Sequence, residues 1–256
     1  MKLAVMQPYF LPYIGYFQAI NEVDKYILYE NLSFIKDGWI NRNKILIKNG
    51  AEHKISVPLL SKSSNILIKD VKIDNTQQWR EKMLKTFFLN YKGSNHFDEV
   101  FSFFENLFDK DFESISELNA FLIISICNFI GIKTEIEYNN FNKYEQLEEK
   151  LIQIDKNDYS DFMYMEKTKP LKKVARVLEL SKIENADYFV NAIGGLSLYS
   201  KEEFIQYGIK LNFVKTSDFT YKQFTNSFVP NLSILDVLMH NGKEGTLRLI
   251  KKYQLV

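Results

Sequence analysis

Two side chains stand where they could transfer protons. His96 lies at a predicted helix start, where the helix dipole disfavours the imidazolium and leaves a neutral imidazole able to accept a proton. Asp236 precedes His240 by four residues, so the two share a helix face and could form an orienting pair. The alternatives are a turn histidine and a structural helix pair. With Gln7, His96 and Asp236 form the candidate catalytic set.

The stretch MQPYFLPYIGYFQAI, at residues 6–20, places an amide and several aromatic rings at the end of a predicted strand. Gln7 would offer a substrate two donors and one acceptor, while Pro8 and Pro12 disfavour helix and favour a turn. Gly15 would permit close approach of backbone or ligand. We interpret the stretch as the floor of a ligand site. The alternative is a well-packed turn that only covers the sheet end.

A basic strand could hold a phosphate group. In WINRNKI, Arg42 and Lys44 alternate, so they point to one face of the strand and could grip a pyrophosphate from ATP or a nucleotide-linked sugar. Asn41 and Asn43 face the other side. The alternative is a solvated basic edge that discourages aggregation.

Aromatic side chains next to presumed strand ends could stack on a sugar or a base. These are Tyr9, Tyr13, Trp39 and Tyr199, whereas most of the 21 Phe residues have the spacing of core residues. Asn119 lies within an apolar helix, where a buried structural hydrogen bond is expected.

The elements that would position these residues indicate an α/β protein with a mainly parallel, Rossmann-like sheet flanked by helices. KLAVMQ, a helix from about Tyr13 and KYILYEN have the order of a βαβ unit, and TEIEYNN, DYFVNA and IKLNFVK add strands. In such sheets ligands bind beyond the carboxyl ends of the strands. The opening stretch falls at that edge.

We expect residues 1–256 to form one α/β domain with three additions. These are a β-hairpin insertion at 34–73, a helical segment of three helices at 76–131 and a peripheral polar segment at 142–168. Asp37-Gly38 and Asn49-Gly50 indicate turns in the insertion, and the third helix should end at Gly131. The polar segment is predicted to be helical in its first half and mobile after Asn157.

Two later helices complete the predicted set. KTKPLKKVARVLEL predicts a basic amphipathic helix over 169–183, which gives slight support to a nucleic-acid contact, although a solvated helix face has the same pattern. LSILDVLMHNG predicts a helix that starts at Ser233 and stops at Gly242.

Composition and charge exclude several classes. Hydrophobic residues form 46% of the chain and charged residues 25%, as in ordinary soluble globular proteins. Lys and Arg number 33 against 32 Asp and Glu, so no overall field attracts nucleic acid or anionic lipid. One cysteine, Cys127, excludes a disulfide scaffold, and three scattered histidines predict no metal site. The first residues have the form of neither a signal peptide nor a span, so we expect a cytoplasmic protein without a membrane contact.

Short motifs follow one another along nearly the whole chain. They are QPYFLPYIGYF, WINRNKI, SVPLL, LNYKGSNHF, ELNAFLI, YFVNAIGGLSLY, YKQF and LSILDVLMHNG. In kind and order this series resembles the WbqC-like protein family. The resemblance adds Asn41, Gly194, Gly195 and Gln223 to the candidate substrate-binding residues, and it leaves 142–168 without a matching motif.

The resemblance implies an enzyme of bacterial surface-polysaccharide (O-antigen-type) biosynthesis. Such an enzyme would transfer an amino acid such as glycine, or another acyl group, to the amine of a nucleotide-linked amino sugar. Amide formation needs a neutral amine, an activated carbonyl and donors facing the oxyanion. The donor would be activated by ATP or be an aminoacyl-tRNA, with no metal. The alternative is a non-catalytic binding protein for a nucleotide-sugar, a tRNA or a pathway enzyme.

Overall fold

The computed structural model of the chain describes residues 1–160, 162 and 171–256. Among them the strands are β1 (Lys2–Met6), β2 (Lys25–Leu28), β3 (Arg42–Leu46), β4 (Glu52–Ser56), β5 (Glu135–Glu137), β6 (Tyr188–Ala192), β7 (Lys210–Thr216) and β8 (Tyr253–Leu255). The helices are α1 (Ile14–Glu22), α2 (Trp79–Tyr91), α3 (Phe97–Phe108), α4 (Ile115–Ile130), α5 (Glu145–Asp155), α6 (Lys172–Ile183), α7 (Lys201–Gln206) and α8 (Ile234–Ile250). None of these helices has the length and apolar character needed to cross a membrane.

Six strands form one sheet in the order β5-β2-β1-β6-β7-β8, and neighbours are parallel except for β7 and β8. From β1 the chain builds outward through β2 to β5, then crosses to the other side of β1 to build β6, β7 and β8. The predicted α/β class with a mainly parallel sheet is confirmed. At such a crossover, here between β1 and β6, open sheets leave a crevice at the carboxyl ends of the strands.

Helices cover both faces of the sheet, as is usual for parallel sheets. Successive residues of a strand point to opposite faces and so belong to different cores. Ala4 and Tyr26 belong to a core that also contains buried side chains of α1, α4 and α8. Leu3 and Phe189 belong to a second core with side chains of α5, α6 and α7. The short apolar runs of β1 and β6 therefore reflect burial on two sides.

The antiparallel hairpin predicted within 34–73 is confirmed as β3 and β4, with Arg42 opposite Ser56. Gly50, in the connecting turn, has a φ of 85°, which glycine adopts without a steric penalty. Asp37 also takes a positive φ, 64°, but its turn lies in the irregular segment before β3.

Capping residues set the helix boundaries as the sequence indicates. The Ser114 hydroxyl accepts a hydrogen bond from the Glu117 N–H at the start of α4, and Gly131 ends that helix with a φ of 88°. Helices α2, α3 and α4 are the three predicted for 76–131. Helix α5 occupies the predicted helical half of the polar segment, whereas the mobile part predicted after it lies largely outside the described residues.

The C-terminal region differs from the prediction. Gly242 interrupts α8 with φ 62° and ψ −174°, but the helix resumes and continues to Ile250. A Cβ added to Gly242 would lie 2.5 Å from Nδ1 of His96, so the glycine marks a close crossing of α8 and the start of α3. The following β8, which was not predicted, pairs with the edge of β7. Its three residues are too few for a periodic signal.

We expect Gly242→Ala to lower the free energy of unfolding by about 3 kcal/mol, because alanine would meet both a strained φ and ψ and the His96 ring. Gly131→Ala is the matched control. Its φ is also positive, but an added Cβ has open space, so the loss should be about 1 kcal/mol. Urea unfolding followed by circular dichroism measures both losses. Equal losses would contradict the close crossing.

Candidate functional site

A cavity of about 460 Å³ opens at the crossover between β1 and β6, a volume typical of small-molecule sites. Gln7 lies there directly after β1. The walls come from the opening turn with α1, from α6 and from the turn that follows β6. Six of the predicted site residues line this cavity: Gln7, Tyr9, Tyr13, Gly194, Gly195 and Tyr199.

Three polar side chains from distant segments hold the opening turn. Nδ2 of Asn43, on β3, donates to the carbonyl of Leu11 at 2.6 Å, and the Ser233 hydroxyl donates to the same carbonyl at 2.8 Å. Nδ2 of Asn119, on α4, donates to the carbonyl of Pro8 at 3.0 Å. These bonds satisfy carbonyl groups that the turn buries. The structural hydrogen bond expected of Asn119 is present, and it acts on the site by fixing the turn.

The turn itself is tightly packed. Leu11 is fully buried with a φ of 42°, a left-handed conformation that costs a residue with a side chain about 1 kcal/mol. A Cβ added to Gly15 would lie 2.3 Å from Cε2 of Tyr13. Glycine at this position therefore makes room for the ring of Tyr13, whereas the sequence suggested that it makes room for backbone or a ligand.

Every aromatic side chain among the described residues that line the cavity is a tyrosine. These tyrosines are Tyr9, Tyr13, Tyr16, Tyr26, Tyr29 and Tyr199. The Tyr16 hydroxyl donates to the carbonyl of Gln7 at 2.9 Å, and its ring centroid is 5.7 Å from that of Tyr9. Burial raises the pKa of Tyr9, Tyr13 and Tyr199, so their hydroxyls stay protonated at neutral pH and can donate.

Sequence reasoning missed three of these tyrosines, although local signals exist for two of them. Tyr16 lies one helical turn after Tyr13 and so shares its face of α1. Tyr29 directly follows β2, at the same edge of the sheet as Gln7. Tyr26 carries no such signal, because its position inside a buried strand reads as core.

Two cations of α6 line the opposite wall. Arg176 makes a two-pronged pair with Glu148, with Nε and Nη2 each 2.8 Å from a carboxylate oxygen, and the Tyr29 hydroxyl donates to the same carboxylate. Burial lowers the pKa of Arg176, but the hydrogen bonds and charge of Glu148, together with Tyr29, outweigh burial and leave the pKa raised. Lys173 is exposed and forms no ion pair with any residue that the structure describes.

The turn after β6 is a 3-10 turn, Ile193–Ser197, in which two neighbouring glycines have different surroundings. A Cβ added to Gly195 would lie 2.7 Å from Nδ2 of Asn191, whereas one added to Gly194 would have open space. The Asn191 Oδ1 accepts a hydrogen bond from the Ala192 N–H at 2.8 Å. The Asn191 side chain thus packs against the turn at Gly195 and leaves room for no side chain there, whereas Gly194 is not restricted in this way.

The basic strand does not line the cavity. Arg42 and Lys44 share the partly exposed face of β3, as predicted, but Arg42 Nη1 is 2.9 Å from Asp37 Oδ1 and Lys44 Nζ is 2.7 Å from Glu52 Oε2. On the other face, Asn41 Nδ2 donates to the carbonyl of Val57.

Trp39 also lies outside the cavity lining, with 46% of its surface exposed, and its carbonyl accepts a hydrogen bond from the Phe10 N–H. The phosphate-binding and stacking roles of these residues stay predictions.

Asp236 and Gln223 belong to a second polar centre. Asp236 is fully buried, and its carboxylate accepts hydrogen bonds from the Tyr91 and Tyr221 hydroxyls, each at 2.7 Å, and from Nε2 of Gln223 at 3.2 Å. These partners tie α2 and the 217–232 segment to α8. The Asp236 centre does not contribute to the cavity lining.

The two helical histidines are placed by packing. His96 donates its backbone N–H to the carbonyl of Met239 and packs its ring on Gly242. The His240 ring centroid lies 4.8 Å from that of Phe224. Burial lowers the pKa of His240, and the charge of Asp236 raises it by less. Neither ring reaches the cavity lining, so proton transfer by His96 stays a prediction.

We expect Asn119→Ala to cost about 3 kcal/mol of unfolding free energy, because it leaves the buried carbonyls of Pro8 and Ile40 without a donor. Asn106→Ala, at an exposed position of α3, is the control and should change stability by less than about 0.5 kcal/mol. Urea denaturation provides the comparison. A loss at Asn119 no larger than that of the control would mean that the turn does not depend on this anchor.

The lowered pKa of His240 makes stability depend on pH. The unfolded chain binds the His240 proton at a higher pH than the folded chain, so stability should fall as the pH decreases below about 6.5. His240→Phe should remove this part of the decrease, whereas His53→Gln, at an exposed position, should leave it intact. Unfolding free energies at about pH 7 and pH 5 measure the slope. An unchanged slope in His240→Phe would refute the assignment.

Comparisons with known proteins cover nearly the whole chain. A family model described as the WbqC-like protein family matches residues 7–247, from the opening turn into α8. The uncharacterized protein Rv1507c of Mycobacterium tuberculosis is 26% identical over 247 residues, which are 95% of this chain and 95% of that protein. No solved structure matches. The resemblance drawn from the motifs is confirmed, and the chain belongs to the WbqC-like protein family.

Proposed function

We propose that this protein acts in bacterial surface-polysaccharide biosynthesis and forms an amide on the amine of a nucleotide-linked amino sugar. The acyl group would be glycine or another amino acid. The family is associated with polysaccharide biosynthesis, which supports the class of pathway. The observation that carries the proposal is the tyrosine-rich cavity at the crossover of the sheet, with Gln7 at the end of β1.

The lining residues match what such a ligand requires. Tyrosine rings offer flat apolar surfaces to a base or sugar, and the Gln7 amide offers donors and an acceptor to its hydroxyl or acyl groups. The hydroxyls of Tyr9, Tyr13 and Tyr199 remain protonated and so can donate to a carbonyl oxygen that becomes an oxyanion.

The proposed reaction needs little proton chemistry from the protein. The amine nitrogen attacks the carbonyl carbon, a C–N bond forms, and the C–O bond to phosphate or to tRNA ribose breaks with its electron pair on oxygen. That oxygen, or water, takes the proton that the nitrogen loses. Catalysis would then rest on holding the amine beside the activated carbonyl.

A specific observation also favours the second candidate function, a non-catalytic nucleotide-sugar binding protein. Among the described residues that line the cavity there is no aspartate, glutamate, histidine or cysteine. Carboxylate, imidazole and thiol groups are therefore missing from that lining, which leaves Lys173 and the tyrosines as its titratable groups besides Arg176. Recognition alone would not need the missing groups.

Mass spectrometry separates the two functions. We expect nucleotide-linked amino sugars, incubated with the protein, an amino-acid pool, ATP and charged tRNA, to gain the mass of an aminoacyl group. Omission of ATP or of the charged tRNA then identifies the donor. Binding of the sugar nucleotide without any mass gain in all mixtures would establish the binding protein instead.

Gln7→Leu tests whether the cavity is the site. We expect product formation to fall by about tenfold to a hundredfold, because the variant loses the amide donors at the end of β1. Gln206→Leu, at an exposed position of α7, is the matched control and should retain the rate. If both variants keep full activity and full affinity, the chemistry takes place elsewhere.

A further inference from the structure

Helix α6 begins with an unusual arrangement of charge. Its N-cap position is Leu171, whose side chain cannot cap, and its first turn contains Lys172 and Lys173 without an acidic residue. A helix N-terminus carries a partial positive charge, so cations there are unfavourable unless an anion is nearby. The three basic residues of KKVAR, Lys172, Lys173 and Arg176, would be more favourably placed at the other end of the helix.

The cations of this region differ in how they are neutralised. Lys172 Nζ is 2.5 Å from Asp155 Oδ2, and Arg176 is paired with Glu148. Lys173, between them, lines the cavity and has no carboxylate partner among the described residues. Because the Arg176 pair is close to neutral overall, Lys173 provides the uncompensated charge of this wall.

A second, independent feature indicates that the cavity is incomplete without a ligand. Tyr26 lines it and has none of its surface exposed, and its hydroxyl meets hydrogen-bonding geometry with no residue that the structure describes. The Tyr16 hydroxyl donates its own proton to the Gln7 carbonyl, and its oxygen lies near enough to interact electrostatically with the Tyr26 hydroxyl, but the two groups do not meet hydrogen-bonding geometry. A buried hydroxyl left unpaired costs about 1 to 3 kcal/mol, so it is ordinarily paired.

We propose that the α6 side of the cavity binds the diphosphate of a nucleoside diphosphate ligand, with Lys173 as its main contact. The uncharged ring end of the ligand would lie against the tyrosine wall formed by Tyr9, Tyr13 and Tyr16. Nη1 of Arg176, which Glu148 does not use, can add a charge-assisted hydrogen bond. This inference rests on the proposed function and deepens it by naming the diphosphate contacts, a role that the sequence had placed on Arg42 and Lys44.

Isothermal titration calorimetry with UDP, ADP and inorganic pyrophosphate tests the diphosphate contact on the full chain. We expect Lys173→Gln to weaken binding of all three by about tenfold or more, as for the loss of one charge-assisted hydrogen bond. Lys172→Gln removes the same charge from the neighbouring position outside the cavity lining and should weaken binding by less than about twofold. Equal weakening by both variants, or no binding of any probe, would overturn the proposal.

The same titrations test the ring end and identify the source of the diphosphate. A nucleoside diphosphate should bind at least about tenfold more tightly than pyrophosphate, since ring stacking contributes about 1 to 3 kcal/mol. Equal affinities would overturn the assignment of the tyrosine wall. Preference for UDP over ADP indicates the sugar nucleotide as ligand, and the reverse preference indicates ATP.

The Tyr26→Phe variant distinguishes a role of the hydroxyl in ligand binding from a purely structural role. Removal of an unpaired buried hydroxyl should leave the melting temperature of the free protein unchanged or higher, while affinity for the nucleoside diphosphate falls severalfold. A lower melting temperature with unchanged affinity would show that the hydroxyl serves only the fold. None of these binding measurements needs acyl transfer, so they test the diphosphate contact separately from the proposed function. If the protein forms the product and Lys173→Gln leaves the KM for the sugar nucleotide unchanged, this inference fails while the proposed function stands.

Discussion

Buried carbonyl groups of the opening turn need donors, and the fold supplies them from three distant segments. Asn43 of the hairpin, Asn119 of α4 and Ser233 at the start of α8 all donate to the turn. An unpaired carbonyl there would cost about 1 to 3 kcal/mol. The hairpin, the helical segment and the C-terminal helix are thereby joined to the first strand. The positions of Gln7 and of the tyrosine wall depend on this connection.

Two polar centres among the described residues have opposite characters. The carboxylate of Asp236 already accepts three hydrogen bonds, from the Tyr91 and Tyr221 hydroxyls and the Gln223 amide, so it serves to join elements. In the cavity between β1 and β6 the hydrogen bonding is incomplete. Among the described residues, the Tyr26 hydroxyl meets hydrogen-bonding geometry with no partner and Lys173 forms no ion pair. A ligand gains most free energy where hydrogen bonding is incomplete. This contrast favours the cavity as the place where the protein meets its substrate.

Much of the fold could be predicted because its signals are local. Apolar spacing located α2, α3 and α4, Gly131 marked the end of the last of these, and Asn49-Gly50 marked the hairpin turn. Local signals failed where an element depends on a partner. Helix α8 resumes after Gly242 at the close crossing with His96, and β8 pairs with the edge of β7, both of which are contacts between distant segments.

The candidate site was predictable in part for the same reason. Gln7 and Tyr199 follow buried strands or their turns, and parallel strands bring their carboxyl ends to one edge. Arg42 and Lys44 do share one face of β3, as alternation requires, but alternation does not say what that face meets. Only the packed structure shows that the face carries its own carboxylate partners, Asp37 and Glu52.

By itself the sequence determined the family, the α/β class, the order of the elements and the place of the opening turn at a strand end. The tertiary structure decided which distant residues meet. It placed α6 with Lys173 across from the opening turn, and it closed Asp236 against a tyrosine 145 positions earlier in the chain. The reason is physical: periodicity and capping act over a few residues, whereas such contacts depend on how whole layers pack.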